Sequence, residues 1–235
     1  MNTQDYSAFF VFGDSLSDNG AIFALTGGTF PPTALSGTDL AGNPVDFAAR
    51  DIQFNQRFTN DLVYAEIAVD AMGIGGDNST FYDDQSGSNF AVGGARASDL
   101  SAFGSPSANT LADQVGVFSQ AIQGLPGSDE ERQAFLANSA ASVFMGLNDL
   151  NAIGGAALAT GTLDLSVIQA GVGTLLAQYG AAAQTLAGTG VGTIVLNLLP
   201  PGSFFPANDA LIAFLGEGGR EVIDSVPASV NAGIQ

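Results

Sequence analysis

Four short apolar runs with little internal alternation punctuate the chain: Ala8–Phe12, Asn89–Val92, Ala141–Met145 and Thr193–Leu198. Strands covered on both faces read this way, because neither face has to meet water. Between the runs lie segments of helical period. Asn60–Met72 (NDLVYAEIAVDAM) has apolar residues at helical spacing, an Asn or Thr cap at its start and Gly73 as a stop. Leu111–Ile122 repeats the pattern and stops at Gly124. Asp129–Leu136 predicts a short helix whose three leading acids suit the positive end of its dipole. Ser166–Leu186 predicts the longest helix, Ala-rich and interrupted by Gly171, Gly173 and Gly180. Strands alternating with helices predict an α/β fold: a three-layer α/β/α sandwich around a mostly parallel sheet, organised as one domain.

Two segments resist that alternation. Thr26–Gln56 is rich in Gly, Pro, Asp and Thr and predicts a long excursion near the first strand. Gly75–Ser88 predicts a second loop, in which Asp77, Asp83 and Asp84 lie close together without the spacing of a calcium loop. A solvated turn is the expected reading there, and no metal or organic cofactor is implied.

Composition narrows the chemistry. The 235 residues include no Cys and no His, so disulfides, thiolate nucleophiles, zincin sites and any Ser–His pair within these residues are ruled out. A net charge of −18, from 23 acids against five arginines and no lysine, repels phosphate backbones and anionic membranes. Nucleic acid is therefore not an expected partner. No stretch is apolar and long enough for a membrane span, and the start, MNTQDYSAFFVFG, lacks the basic region of a signal peptide.

The candidate chemistry sits in FFVFGDSLSDNG at 9–20, where an apolar run breaks at a Gly-Asp-Ser-Leu turn. Ser15 then lies at the carboxyl end of a strand and beside a helix start, where open α/β sheets place their reactive groups. A serine hydroxyl at that position is a nucleophile candidate that still needs a base and preorganised donors for an oxyanion. Asp14 and Asp149 are expected to organise their turns, and Arg57 and Arg96 to serve as ion-pair partners.

FGDSLSDNG, NFAVGGA at 89–95 and MGLNDL at 145–150 stand in the order and rough spacing of the GDSL, or SGNH, hydrolase family, which the chain resembles from residue 9 onward. NQRFTNDLVYAEIA at 55–68, LADQV at 111–115 and TIVLNLLPPGSFFPA at 193–207 are similar to further family blocks. The likeness is greatest to secreted bacterial lipases, phospholipases and autotransporter esterases, which implies a secreted or cell-surface protein acting on a small-molecule or lipid ester. It also implies Ser15 as nucleophile, with the Ser15 N–H, Gly94 and Asn148 as oxyanion donors. Gly94 is favoured over Gly93 by register with the family's second block, and the tandem glycines keep both in play.

The family completes its site with a D-x-x-H block that supplies the base. These residues end at VNAGIQ, similar to the family's FNAxL helix, before any such block. The expectation is a sandwich lacking its last strand and helix, nearly inactive alone, with an exposed edge at Thr193–Leu198 open to self-association or a partner chain. Three explanations stand together: a shortened form of an active esterase, half of a site completed by a partner chain, or a silent ligand-binding or assembly module on the same fold.

Overall fold

A computed structural model describes residues 6–31, 36–38, 44–46, 56–59, 61–74, 78–100, 109–205 and 208–235. Its centre is a parallel sheet of β1 (Phe9–Gly13), β4 (Ala140–Phe144) and β5 (Thr193–Leu196), in the spatial order β1-β4-β5. Phe9 pairs with Ala140, and Ala140 with Thr193, so the three carboxyl ends share one edge. Every residue of β1 is buried. Phe10, Phe12, Ala141 and Val143 face one apolar cluster, Phe9, Val11 and Ala140 the other, which is why the run lacks alternation.

The Asn89–Val92 run lies on the free side of β1. Phe90 N–H donates to Val11 O (2.8 Å) and Val92 N–H to Gly13 O (3.1 Å), in parallel sense. Only isolated bridges form, since Ala91 N–H turns to its own Asn89 side chain (3.0 Å) and not to a ladder. Within the Thr26–Gln56 excursion, β2 (Ser36–Thr38) and β3 (Pro44–Asp46) pair antiparallel; most of that stretch lies outside the described residues.

Helices cover both faces, as the α/β expectation requires. α4 (Leu111–Ala121), α7 (Leu165–Thr189) and α9 (Gly219–Ile234) pack on the Phe12 side, and α2 (Tyr64–Met72) on the Val11 side. α1 (Ala21–Leu25), α3 (Phe81–Asp84), α5 (Asp129–Ala137), α6 (Leu147–Ala157) and α8 (Asp209–Leu215) complete the order. Two expectations need correction. α2 starts at Tyr64, not Asn60: Glu66 reaches back to accept the Val63 N–H (2.9 Å), so a carboxylate at the third helical position does the capping. Asn60 itself lies outside the described residues. α7 runs unbroken through its glycines, because a Cβ at Gly171 would strike Ile153 of α6 at 2.5 Å and close packing of the two helices outweighs helix propensity.

The carboxyl ends of the strands are held by side chains from the helical layer. Gln114 of α4, fully buried, accepts from Gly13 N–H (2.9 Å) and donates to Gly13 O (2.8 Å). Tyr179 of α7 donates its hydroxyl to Met145 O and accepts from Met145 N–H (3.1 Å). Asn231 of α9 brackets Leu199 in the same way, accepting from its N–H (2.7 Å) and donating to its carbonyl (2.8 Å). Each clamp satisfies backbone groups that the sheet has stopped pairing. Gln114→Leu keeps the volume but leaves the buried Gly13 N–H unpaired, while Gly13 O keeps its Val92 donor, so we expect a loss of about 1–3 kcal/mol and a Tm lower by roughly 2–12 °C in thermal unfolding, with no change of fold.

Candidate functional site

The turn after β1 is built by two carboxylates. Asp14 Oδ1 accepts the Leu16 N–H (3.1 Å), and Asp14 O accepts from Ser17 and Asp18 (3.0 Å each), wrapping the chain into a tight bend. Ser15 sits half-buried on that bend between buried Asp14 and exposed Leu16. The bend passes close to β4: a Cβ on Gly13 would meet Ser17 Oγ at 2.5 Å and Phe144 O at 2.7 Å. A larger residue there would push the serine away from the sheet edge.

Asp18 is the residue that sequence reasoning missed. Wholly buried, it accepts four backbone N–H groups: Gly20 (2.7 Å) and Ala21 (2.6 Å) on Oδ1, Ile22 (3.1 Å) and Gly93 (2.6 Å) on Oδ2. The first three start α1; the fourth ties the 89–95 segment to the serine turn. A signal was present in the sequence, an Asp three residues before a helical run, but its long-range partner was not. Phe58 packs against Gly93, leaving no room for a side chain: a Cβ there would meet the Phe58 ring at 2.2 Å.

Of the two candidate glycines, Gly93 has committed its N–H to Asp18. Gly94 adopts φ +77° and its N–H has no acceptor among the described residues, as is also true of Ser15 N–H. Asn148, second residue of α6, donates one amide hydrogen to Ala95 O (2.9 Å), the carbonyl next to Gly94, which leaves the other hydrogen of that amide free of this bond. Asp149 is fully buried and accepts Ala97 N–H (2.8 Å), Ser98 N–H (3.0 Å) and the Ser98 hydroxyl (2.8 Å). Gly94 is thus flanked by a residue tied to the Ser15 turn and one tied to Asn148.

Asp14 organises its own turn as the sequence suggested, whereas Asp149, in the first turn of α6, holds the distant Ala97–Ser98 segment instead, because burial brings those N–H groups opposite it; Arg57 pairs with Glu66, its Nε 2.9 Å from Oε2. Arg96 fixes its own segment through the backbone, accepting from Leu111 N–H (3.0 Å) and donating to Asn109 O (3.2 Å), while its charge acts on Asp149. Beneath the site, Tyr64 shares a hydrogen bond with Ser142 Oγ (3.0 Å), to which Asn197 also donates (2.7 Å). In the second loop Asp84 Oδ1 accepts from the Ser86 N–H (2.9 Å) and hydroxyl (2.6 Å), organising a turn; Asp77 lies outside the described residues.

Burial dominates the electrostatics. Loss of solvent pushes the Asp14 carboxyl up to about 7, with Leu16 N–H pulling it down and the charge of Asp149 adding to the rise. Asp149 and Asp18 are also raised by burial, against the pull of their N–H donors. Unfolded Asp titrates near 3.9, so between about pH 4 and pH 7 the folded chain binds the extra proton and stability falls as pH rises. We expect denaturant unfolding to show a more stable protein at pH 5 than at pH 8. Asp14→Asn, which keeps the acceptor for Leu16, should reduce that difference by up to about 3 kcal/mol.

No curated protein matches the chain at a significant level. A protein-family model described as GDSL-like Lipase/Acylhydrolase matches residues 9–232. That span takes in the serine turn, both glycines, the start of α6 and all three clamps on the strand ends. A match so nearly complete, over a parallel α/β sheet with the Gly-Asp-Ser-Leu turn at its carboxyl edge, places this chain in the GDSL-like lipase/acylhydrolase family.

Proposed function

We propose that the chain is a carboxylic ester hydrolase in which Ser15 is the nucleophile and the N–H groups of Ser15 and Gly94, with the Asn148 amide, receive the oxyanion. The observation that carries this reading is the double tether of the 93–95 segment, to Asp18 on one side and Asn148 on the other, with the Gly94 N–H left unclaimed between them. Ser15 Oγ forms a bond to the carbonyl carbon and gives its proton to a base. The alkoxide leaves with a proton as the C–O bond breaks, and water then cleaves the acyl-serine. Backbone donors suit the role because they are fixed before charge develops, and each is worth on the order of 3 kcal/mol.

The 235 residues hold no imidazole. The reading therefore predicts near-background hydrolysis of nitrophenyl acetate by the chain alone, and a higher rate when free imidazole is added. That increment, beyond imidazole's own reaction with the ester, should vanish in Ser15→Ala and fall about a hundredfold in Asn148→Ala. An increment that survives Ser15→Ala sinks the assignment. Rescue that never appears favours the silent ligand-binding module, the reading that the lack of histidine supports.

A secreted or cell-surface setting remains part of this proposal. Among the described residues no helix is long and apolar enough to cross a membrane. Self-association is proposed through the α2-side face of β5. Val195 lies there in register with Ser142 and is 42 % exposed, and Leu198 just beyond the strand is 46 % exposed. Light scattering of the wild type should show a concentration-dependent rise in mass that Val195→Asp removes; a mass constant at all concentrations refutes it.

A further inference from the structure

A cavity of about 280 Å³ opens at the amino end of the sheet, with the start of β1 in its wall. The length of β1, about 13 Å at roughly 3.3 Å per residue, separates Phe9 in that wall from Gly13 and the turn that bears Ser15. Six phenylalanines line it: Phe9, Phe10, Phe81, Phe90, Phe118 and Phe135. Five of them form one continuous series of ring contacts. Phe81 meets Phe90 at 4.8 Å between centroids, Phe90 meets Phe118 at 5.6 Å, Phe118 meets Phe10 at 4.8 Å and Phe10 meets Phe135 at 6.4 Å. In a chain of net charge −18, none of the lining residues is charged.

The wall is held in place by the backbone around it. Val11 N–H donates to Ser88 O (3.1 Å), and the chain at Gly87 runs so close to Ser79 that a Cβ would meet Ser79 O at 2.1 Å. Asn78, also in the wall, donates Nδ2 to Ser88 Oγ (3.0 Å) and to Phe9 O (3.3 Å). Both bonds use the amide nitrogen, so the orientation of that amide is fixed. Its Oδ1 is buried and has no hydrogen-bond partner among the described residues. A buried acceptor left open has lost its hydration without compensation, and a donor that reached it would recover that cost.

These features select a ligand. A cavity near 150 Å³ with Leu, Ile and Phe walls takes up one benzene, so about 280 Å³ suits two fused rings. Ring walls favour a ring beyond the area it buries, whereas an alkyl chain gains only the area and leaves the amide oxygen open. A charged ligand would find no counter-ion in the wall. We propose that this cavity is a binding site for a small, neutral, bicyclic aromatic molecule with one N–H donor, seated among the phenylalanines with that N–H on Asn78 Oδ1. The site is separate from the serine turn and does not depend on the reading of Ser15.

Indole is the probe. The chain contains no Trp, so indole emission excited beyond the tyrosine band reports its surroundings without a protein background. Titration should give a saturable blue shift at one site per chain, equal in the wild type and in Ser15→Ala. Benzofuran, which has the same shape without the N–H, should displace indole roughly three- to tenfold less effectively than unlabelled indole dilutes it. Ala121→Phe and Ala8→Leu each add bulk to the wall and should abolish the shift while cooperative thermal unfolding is retained. No saturable shift in the wild type overturns the site, and a shift that persists in the folded wall variants overturns its place. Benzofuran as effective as indole overturns the contact with Asn78. Loss of the shift in Ser15→Ala overturns the separation from the serine turn.

Discussion

Where parallel strands stop pairing, their last N–H and C=O groups need partners, and here single side chains provide both at once. Gln114 on Gly13, Tyr179 on Met145 and Asn231 on Leu199 come from three different helices and act on the ends of three neighbouring strands. A buried group left unpaired costs about 1–3 kcal/mol, so these clamps are strong constraints on where the chain leaves the sheet. The segments bearing Ser15, Asn148 and Gly202 each begin within three residues of a clamped position. Their geometry is set by the helical layer as much as by the strands.

Two buried carboxylates extend the same logic across the loops. Asp18 gathers N–H groups from the serine turn and from Gly93, and Asp149 gathers them from Ala97 and Ser98. Burying such groups raises their pKa, a standing cost in stability near neutral pH. What that cost secures is a fixed 93–98 segment, with Gly94 held between its two anchors. The proposed role of the Gly94 N–H relies on that immobility, since a donor fixed in the ground state needs no reorganisation when charge appears.

The strands, the main helices and the parallel α/β class were legible because burial on both faces writes itself into a sequence as unbroken apolar runs such as Phe9–Phe12. The family was legible because GDSL, VGGA and GLND are local words. Gly171 was misread as an interruption, and the α2 start misplaced, because packing on Ile153 and a backward-reaching Glu66 are matters of contact, not of propensity. Asp18, Gln114, Tyr179 and Asn231 gave little local sign of their tasks: each bonds to backbone 32 to 101 residues away, and such pairings exist only once the sheet has assembled. Sequence alone determined which residue types stand at the ends of the strands. Tertiary structure decided which of their N–H groups remain unclaimed, because hydrogen-bond commitment depends on who arrives opposite.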